Sequence, residues 1–250
     1  MKKTWNKGEK MKDYIYGKNA VANALISGQN IINLYMSPSF FDKKINQLIK
    51  EKHIKYIKTN DLNKYVGNVV HQGIVCEIEE YEYTPFEDIL VKVKDKKDAL
   101  VVLLDGIEDP HNLGAILRSA DAFGIDAVII PQNRSVRLNG TVAKVSTGAI
   151  EYVDVCMVTN LNQTIQKLKD EGFWVVASDG SATMDYRQVD YNMKTCLVVG
   201  SEGFGISKLV LKNSDFIVKI PMVGHVNSLN ASVACALFLA QIYSYRNPVK

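Results

Sequence analysis

The sequence is poor in the features that mark several large protein classes. No apolar run approaches the roughly 18 residues of a membrane-spanning helix. The N-terminus, MKKTWNKGEK, is basic but has no apolar stretch or cleavage site behind it, unlike a secretory leader. Together these absences predict a cytoplasmic protein with no membrane partner. Only four cysteines occur, at positions 76, 156, 196 and 235, and none forms a C-x-x-C pair. That spacing argues against a thiolate zinc site, and the histidines at 53, 71, 111 and 225 show no ligand spacing either. No resident metal is expected. Cys76, Cys156 and Cys196 lie inside apolar runs, where cysteine acts as a small hydrophobe, so the thiols are predicted to be buried and inert.

Arginine is also scarce: the chain has five, and none precedes Arg118. The formal net charge of +3 hides a segregation. Residues 1–64 carry 13 Lys against 5 acids, residues 65–98 carry 4 Lys against 8 acids, and the remainder is nearly neutral. A basic N-terminal third on a neutral body fits a module that grips a polyanion, or equally a lysine-decorated solvated surface.

What is present is alternation of two kinds. Up to about residue 81, short alternating strands (YIYG, INLYM, IKYIK, GIVCEIEE) are interleaved with helical runs, among them Phe40–Lys52 with Phe41, Ile45, Leu48 and Ile49 at helical spacing. Residues 82–98, with Pro85 and mixed charge, read as a linker ending in an exposed helix. From residue 99 the pattern changes to continuous apolar runs: ALVVLLD, DAVIIP, YVDVCMV, FWVVAS, TCLVVG and DFIVKIP. Such runs, separated by helices, predict a parallel α/β sheet covered on both faces. Ligands of such sheets collect at the carboxyl ends of strands, which singles out the loops after Leu104, Val199 and Ile220. The expected domains are a basic tail at 1–12, a small α/β module at 13–81, the linker, and a large α/β domain at 99–250.

Each of the three loops carries polar residues with two readings. In LDGIEDPHNLGAILRSADAF a helix is expected from about Asn112 to Phe123, with Arg118 off its apolar face, free for a ligand or paired with Asp121. In LVVGSEGFGIS three glycines at 200, 203 and 205 surround Glu202. This is neither a dinucleotide fingerprint nor a Walker loop, so it does not favour a nucleotide-dependent oxidoreductase. In IPMVGHVNSLNASVACALFLAQIYSYR, Asn227, Ser228 and Asn230 are helix-capping types, and the helix after them is apolar on nearly every face. That helix should be covered on all sides, within the domain or by a second copy of the chain.

Taken together, Asn112-Leu-Gly-x-x-x-Arg118, Gly200-Ser-Glu-Gly and Ile220-Pro-Met…Ser228-Leu-Asn230-x-Ser232 resemble the three motifs of the SpoU/TrmH family of RNA ribose 2′-O-methyltransferases, in the SPOUT superfamily. Gly17-Lys-Asn-Ala-Val and His71-Gln-Gly-Ile look like that family's L30e-like RNA-binding domain. The resemblance implies a parallel sheet with a deep trefoil knot, a homodimer, and S-adenosylmethionine held by Gly200, Ile220 and Leu229. It implies an RNA substrate, most of all a guanosine of 23S rRNA, with tRNA or a catalytically silent RNA-binding module as alternatives. It also implies a reaction centre of Arg118, Asn112, Glu202, Ser228 and Asn230. Because a guanidinium is not deprotonated in proteins, Arg118 is expected to clamp a phosphate and stabilise the developing alkoxide rather than act as the base. Asn112, Ser228 and Asn230 would orient the ribose, and Glu202 would accept its proton directly or through water.

Overall fold

The computed structural model describes residues 12–27, 30–79, 81–225 and 228–248. Most of the expected basic tail, and Asn227, lie outside the described residues. The chain divides into two units, residues 1–82 with 139–144 and residues 83–138 with 145–250.

The first unit contains β1 (Lys12–Tyr16), α1 (Lys18–Ser27), β2 (Ile31–Met36), α2 (Lys43–Glu51), β3 (Tyr56–Lys58), α3 (Asn63–Val66) and β4 (Ile74–Glu79). Its sheet runs β1-β4-β2-β3, with β4 antiparallel to both neighbours and β3 parallel to β2. Because strand side chains alternate, Leu34, Met36, Ile74, Cys76 and Ile78 share one face and pack on Val21, Leu25, Ile45 and Ile49 of the helices. Helix α2 starts later than its periodicity suggests. Asp42 caps it, its Oδ1 accepting from the Ile45 N–H at 3.1 Å. Phe41 therefore precedes the helix and is 74% exposed rather than part of its apolar face.

The second unit contains α4 (Phe86–Val93), β5 (Leu100–Asp105), α5 (Pro110–Ala122), β6 (Ala127–Pro131), α6 (Gly140–Ser146, shared with the first unit), β7 (Val155–Val158), α7 (Leu161–Asp170), β8 (Trp174–Ser178), β9 (Met184–Asp185), β10 (Thr195–Gly200), α8 (Lys208–Lys212), β11 (Phe216–Lys219) and α9 (Ala231–Arg246). Its seven strands, ordered β7-β6-β5-β10-β8-β11-β9, are all parallel. Alternate strand residues, such as Val101, Leu103, Cys196 and Val198, face α4, α7 and α8. Helices α5 and α9 pack against each other, and α9 also packs on β10. The apolar runs are thus doubly covered, as predicted.

Helix α4 departs from the expectation of an exposed helix in a linker. Phe86, Ile89 and Val93, at i, i+3 and i+7, are buried in the core of this unit. That stripe is narrow, and Glu87, Asp88 and Lys92 between its members make the segment read as solvated.

Strand β11 enters the sheet between β8 and β9, inside the excursion the chain makes between β8 and β10. Helix α9 then lies against that excursion. Tyr186 stands edge-on to Phe238 at 5.2 Å, and Arg246 donates to the carbonyls of Tyr191 (2.9 Å) and Met193 (2.7 Å). This is the threading of a deep trefoil knot, an exception to the usual rule that chains do not pass through their own loops.

All four cysteines are buried and free, and burial pushes each thiol up to about 12, consistent with inert packing groups. Among the described residues no helix is long and apolar enough to cross a membrane.

Candidate active site

Because the sheet is parallel, β5, β10 and β11 deliver their carboxyl ends to one edge. Asp105 and Gly200 are register partners at the ends of adjacent strands. The turn after β10 folds back on itself, the Ser201 N–H donating to the Gly205 carbonyl at 3.2 Å and the Gly205 N–H to the Ser201 carbonyl at 2.9 Å. A Cβ on Gly200 would sit 2.2 Å from the Gly205 carbonyl carbon and 2.5 Å from the Ile206 nitrogen. Gly205 itself has φ +65°. The two glycines are thus required for different reasons, close backbone approach at 200 and a left-handed conformation at 205. The far end of the turn is tied to β5, since the buried Asp105 carboxylate accepts from the Ser207 N–H at 2.8 Å.

Helix α5 begins at Pro110 rather than near Asn112. Asp109 is its cap, accepting from the His111 N–H at 2.9 Å, and Pro110 occupies the first turn, where no backbone donor is needed. That hydrogen bond leads the effects holding the Asp109 carboxyl below its ordinary range. Asn112 is consequently in the first turn, at the sheet edge. At the third loop Asn230 caps α9, its Oδ1 accepting from the N–H groups of Ser232 (3.0 Å) and Val233 (3.3 Å) and from the Ser232 hydroxyl (2.6 Å).

The three loops meet at Glu202. Its Oε1 accepts from Asn112 Nδ2 at 3.1 Å, Asn230 Nδ2 at 2.5 Å and the Ala231 N–H at 3.3 Å. Asn230 Nδ2 also donates to Asn112 Oδ1 at 2.9 Å, closing a triangle among residues 90 and 28 positions apart from Glu202 in the chain.

Two cavities flank this triangle and share Ser201, Glu202 and Gly205 as a wall. The smaller, about 170 Å³, is lined by Gly200, Ile220, Ser228, Leu229 and Ala234 among others. All three residues expected to hold a cofactor are on it. The larger, about 490 Å³, is lined by Glu108, Asn112, Arg134, Glu202 and Phe204 among others.

Of the expected reaction residues, Asn112, Glu202 and Asn230 are in mutual contact and Ser228 is on the adjoining wall. Arg118 is not. It is exposed on α5, lines neither cavity and, among the described residues, makes no hydrogen bond or ion pair, the possible partner Asp121 included. It lies six residues beyond Asn112, about 9 Å along the helix axis. Glu108, Arg134 and Phe204 were not singled out from the sequence. Arg134 follows β6, whose carboxyl end lies on the same sheet edge as the three loops that were.

The SpoU rRNA Methylase family matches residues 99–240, and the family described as RNA 2′-O ribose methyltransferase substrate binding matches residues 14–84. A protein of Staphylococcus aureus, named as a TrmH family tRNA/rRNA methyltransferase, is 47% identical over 240 residues, covering 94% of this chain and 97% of its own. A counterpart of the same name in Staphylococcus haemolyticus is 46% identical, covering 94% and 96%. Among solved structures, the SpoU methyltransferase AviRb of Streptomyces viridochromogenes in complex with AdoMet shares the fold at TM-score 0.61 and 22% identity, over 94% of this chain and 90% of that one. The TrmH/SpoU tRNA modifying enzyme of A. aeolicus matches at TM-score 0.56 and 30% identity, over 64% and 84%. With its three loops meeting at one sheet edge and both domains matched, the chain belongs to the SpoU/TrmH family of RNA methyltransferases.

Proposed function

We propose that the protein transfers a methyl group from S-adenosylmethionine to the 2′-oxygen of an RNA ribose, a guanosine of 23S rRNA. The observation that supports this reading is the wall of Ser201, Glu202 and Gly205 common to the two cavities; we read the smaller as the cofactor chamber and the larger as the substrate chamber, with Glu202 between them. The residues present fit the cofactor. Gly200 brings bare backbone to the lining of the smaller cavity, and Ile220, Leu229 and Ala234 offer an apolar wall. When bound, S-adenosylmethionine supplies an electrophilic sulfonium methyl.

The chain's own residues do the rest. Asn112 and Asn230 are locked in orientation by Glu202, so their amides are preorganised to place the ribose without reorganising. Glu202 Oε1 is committed to three donors, which makes positioning its first task and leaves Oε2 to take the ribose proton, directly or through water. Ser228 lines the smaller cavity and orients the ribose from the third loop where the two chambers meet. Arg118 stabilises charge as a phosphate clamp, and it comes from a second copy. The exposed apolar face of α9, with Val233 48%, Leu237 40% and Tyr243 50% exposed, is the homodimer surface, and α5 packs beside it. Residues 13–81 act as the module that grips RNA.

Calorimetric titration with S-adenosylmethionine, followed by methyl transfer to purified 23S rRNA and to tRNA from a strain lacking the protein, tests the reading. Heat on titration and transfer to 23S rRNA are expected. Absence of heat identifies a silent RNA-binding module, and transfer confined to tRNA moves the substrate.

A further inference from the structure

The larger cavity carries more chemistry than a ribose needs. At about 490 Å³ it is in the size range of small-molecule sites, roughly 300–1,000 Å³. Phe204 on its rim is 98% exposed, an aromatic ring with almost no protein against it. Arg134 has φ +53°, a left-handed conformation that a non-glycine residue adopts against a steric penalty and that recurs at ligand sites.

The acids of the cavity can be sorted by what they already do. Asp105 accepts from the Ser207 N–H, Asp109 caps α5 at His111, and Glu202 Oε1 holds the two amides. Glu108 is exposed and, among the described residues, has no hydrogen bond or ion pair. The same is true of Arg134. An uncommitted carboxylate and an uncommitted guanidinium thus line one cavity without pairing, beside an open aromatic face. The surplus of acids makes the cavity a poor seat for phosphate. It suits a nucleobase with hydrogen-bond donors on one part of its edge and acceptors on another.

We propose that this cavity takes the target base, swung out of the RNA, and that Phe204, Glu108 and Arg134 are the residues that select guanine, the base of the guanosine proposed above. Phe204 stacks on the ring, Glu108 accepts from N1–H and the N2 amino group, and Arg134 donates to O6 and N7. Guanine alone presents two adjacent donors to match the two oxygens of one carboxylate, with two acceptors beyond them to match a guanidinium fork. Adenine offers one amino group between two ring-nitrogen acceptors, cytosine one amino group beside a single ring-nitrogen acceptor, and uracil one N–H between carbonyls.

The assignment rests on the methyl-transfer reading, and the test separates the two. RNA from a strain lacking the protein is incubated with the full-length enzyme and labelled S-adenosylmethionine, digested to nucleosides and analysed by mass spectrometry. The wild type is expected to yield 2′-O-methylguanosine alone. Glu108→Gln and Phe204→Ala should each slow its formation by about tenfold or more, the size of losing one base contact. Phe204→Tyr should retain the rate, and all three variants should bind S-adenosylmethionine as the wild type does. A different methylated nucleoside, or wild-type rates in both Glu108→Gln and Phe204→Ala, overturns the base assignment and leaves methyl transfer standing. No labelled nucleoside from the wild type overturns both.

Discussion

Two sets of polar residues, at this sheet edge and on the helix that starts from it, differ in one respect. Asn112, Glu202 and Asn230 are bonded to one another, and the Asn230 carboxamide oxygen is further engaged by the helix it caps. Arg118, Glu108 and Arg134 have no hydrogen bond or ion pair among the described residues. The first set binds three distant loops into one wall, so it is part of the fold as much as of the chemistry. The second set is exposed, where water satisfies a charge at little cost, whereas the same groups buried and unpaired would be strongly destabilising. On the proposed function, the bonded residues hold the site and the free ones meet RNA.

The largest effect should come from attacking the wall itself. In Gly200→Ala the new methyl overlaps backbone atoms of Gly205 and Ile206, not the end of a flexible side chain, so the 201–205 turn must shift. Glu202 moves with it, and both cavities lose their common side. Loss of S-adenosylmethionine binding by calorimetry, and with it all methyl transfer, is expected. Wild-type affinity in this variant would mean that the turn is not the cofactor wall.

Next in size, and opposite in kind, is Arg118→Lys. The substitution keeps the charge but loses the planar fork that matches a phosphate. With no partner to lose among the described residues, its melting temperature and cofactor affinity should match the wild type. Its turnover should fall by about 10²-fold, the lower end for removing one preorganised donor to a developing oxyanion. A variant that instead loses stability would place Arg118 among the bonded residues.

The same contrast explains what could be read from the sequence. The parallel sheet was legible because each strand is apolar without interruption. The residues of the wall were legible because their types and order match family motifs, although nothing in the spacing of Asn112, Glu202 and Asn230 shows that they touch. That contact depends on β10 lying beside β5 and on the threading of α9, which are long-range facts. The start of α5 was misplaced by two residues because Asp109-Pro110 reads as a turn, although the same pair is a strong cap-and-first-turn signal. The burial of α4 is not legible because its five apolar residues, Phe86, Ile89, Leu90, Val91 and Val93, spread over more than one face and do not announce which face turns inward. Glu108, Arg134 and Phe204 were missed because a charged or aromatic loop residue reads as solvated until a cavity is seen beside it.

Asn230 has one end in the fold and the other in the wall, and separating them gives the smallest and most discriminating effect. Its Oδ1 caps α9, while its Nδ2 reaches Asn112 and Glu202. Asn230→Ala removes both and should cost about 1 kcal/mol, the typical value of an N-cap, lowering the melting temperature by about 2–4 °C in a chain of this size. Turnover should fall by about tenfold, short of the 10²-fold attached to a full ångström of misplacement. Asn230→Ser supplies a hydroxyl that caps the helix but cannot donate to both Asn112 and Glu202. It should recover most of the melting temperature and little of the turnover. If serine restores both, the amide triangle is only the by-product of a capped helix, and the division between residues that hold the site and residues that use it has to be drawn without it.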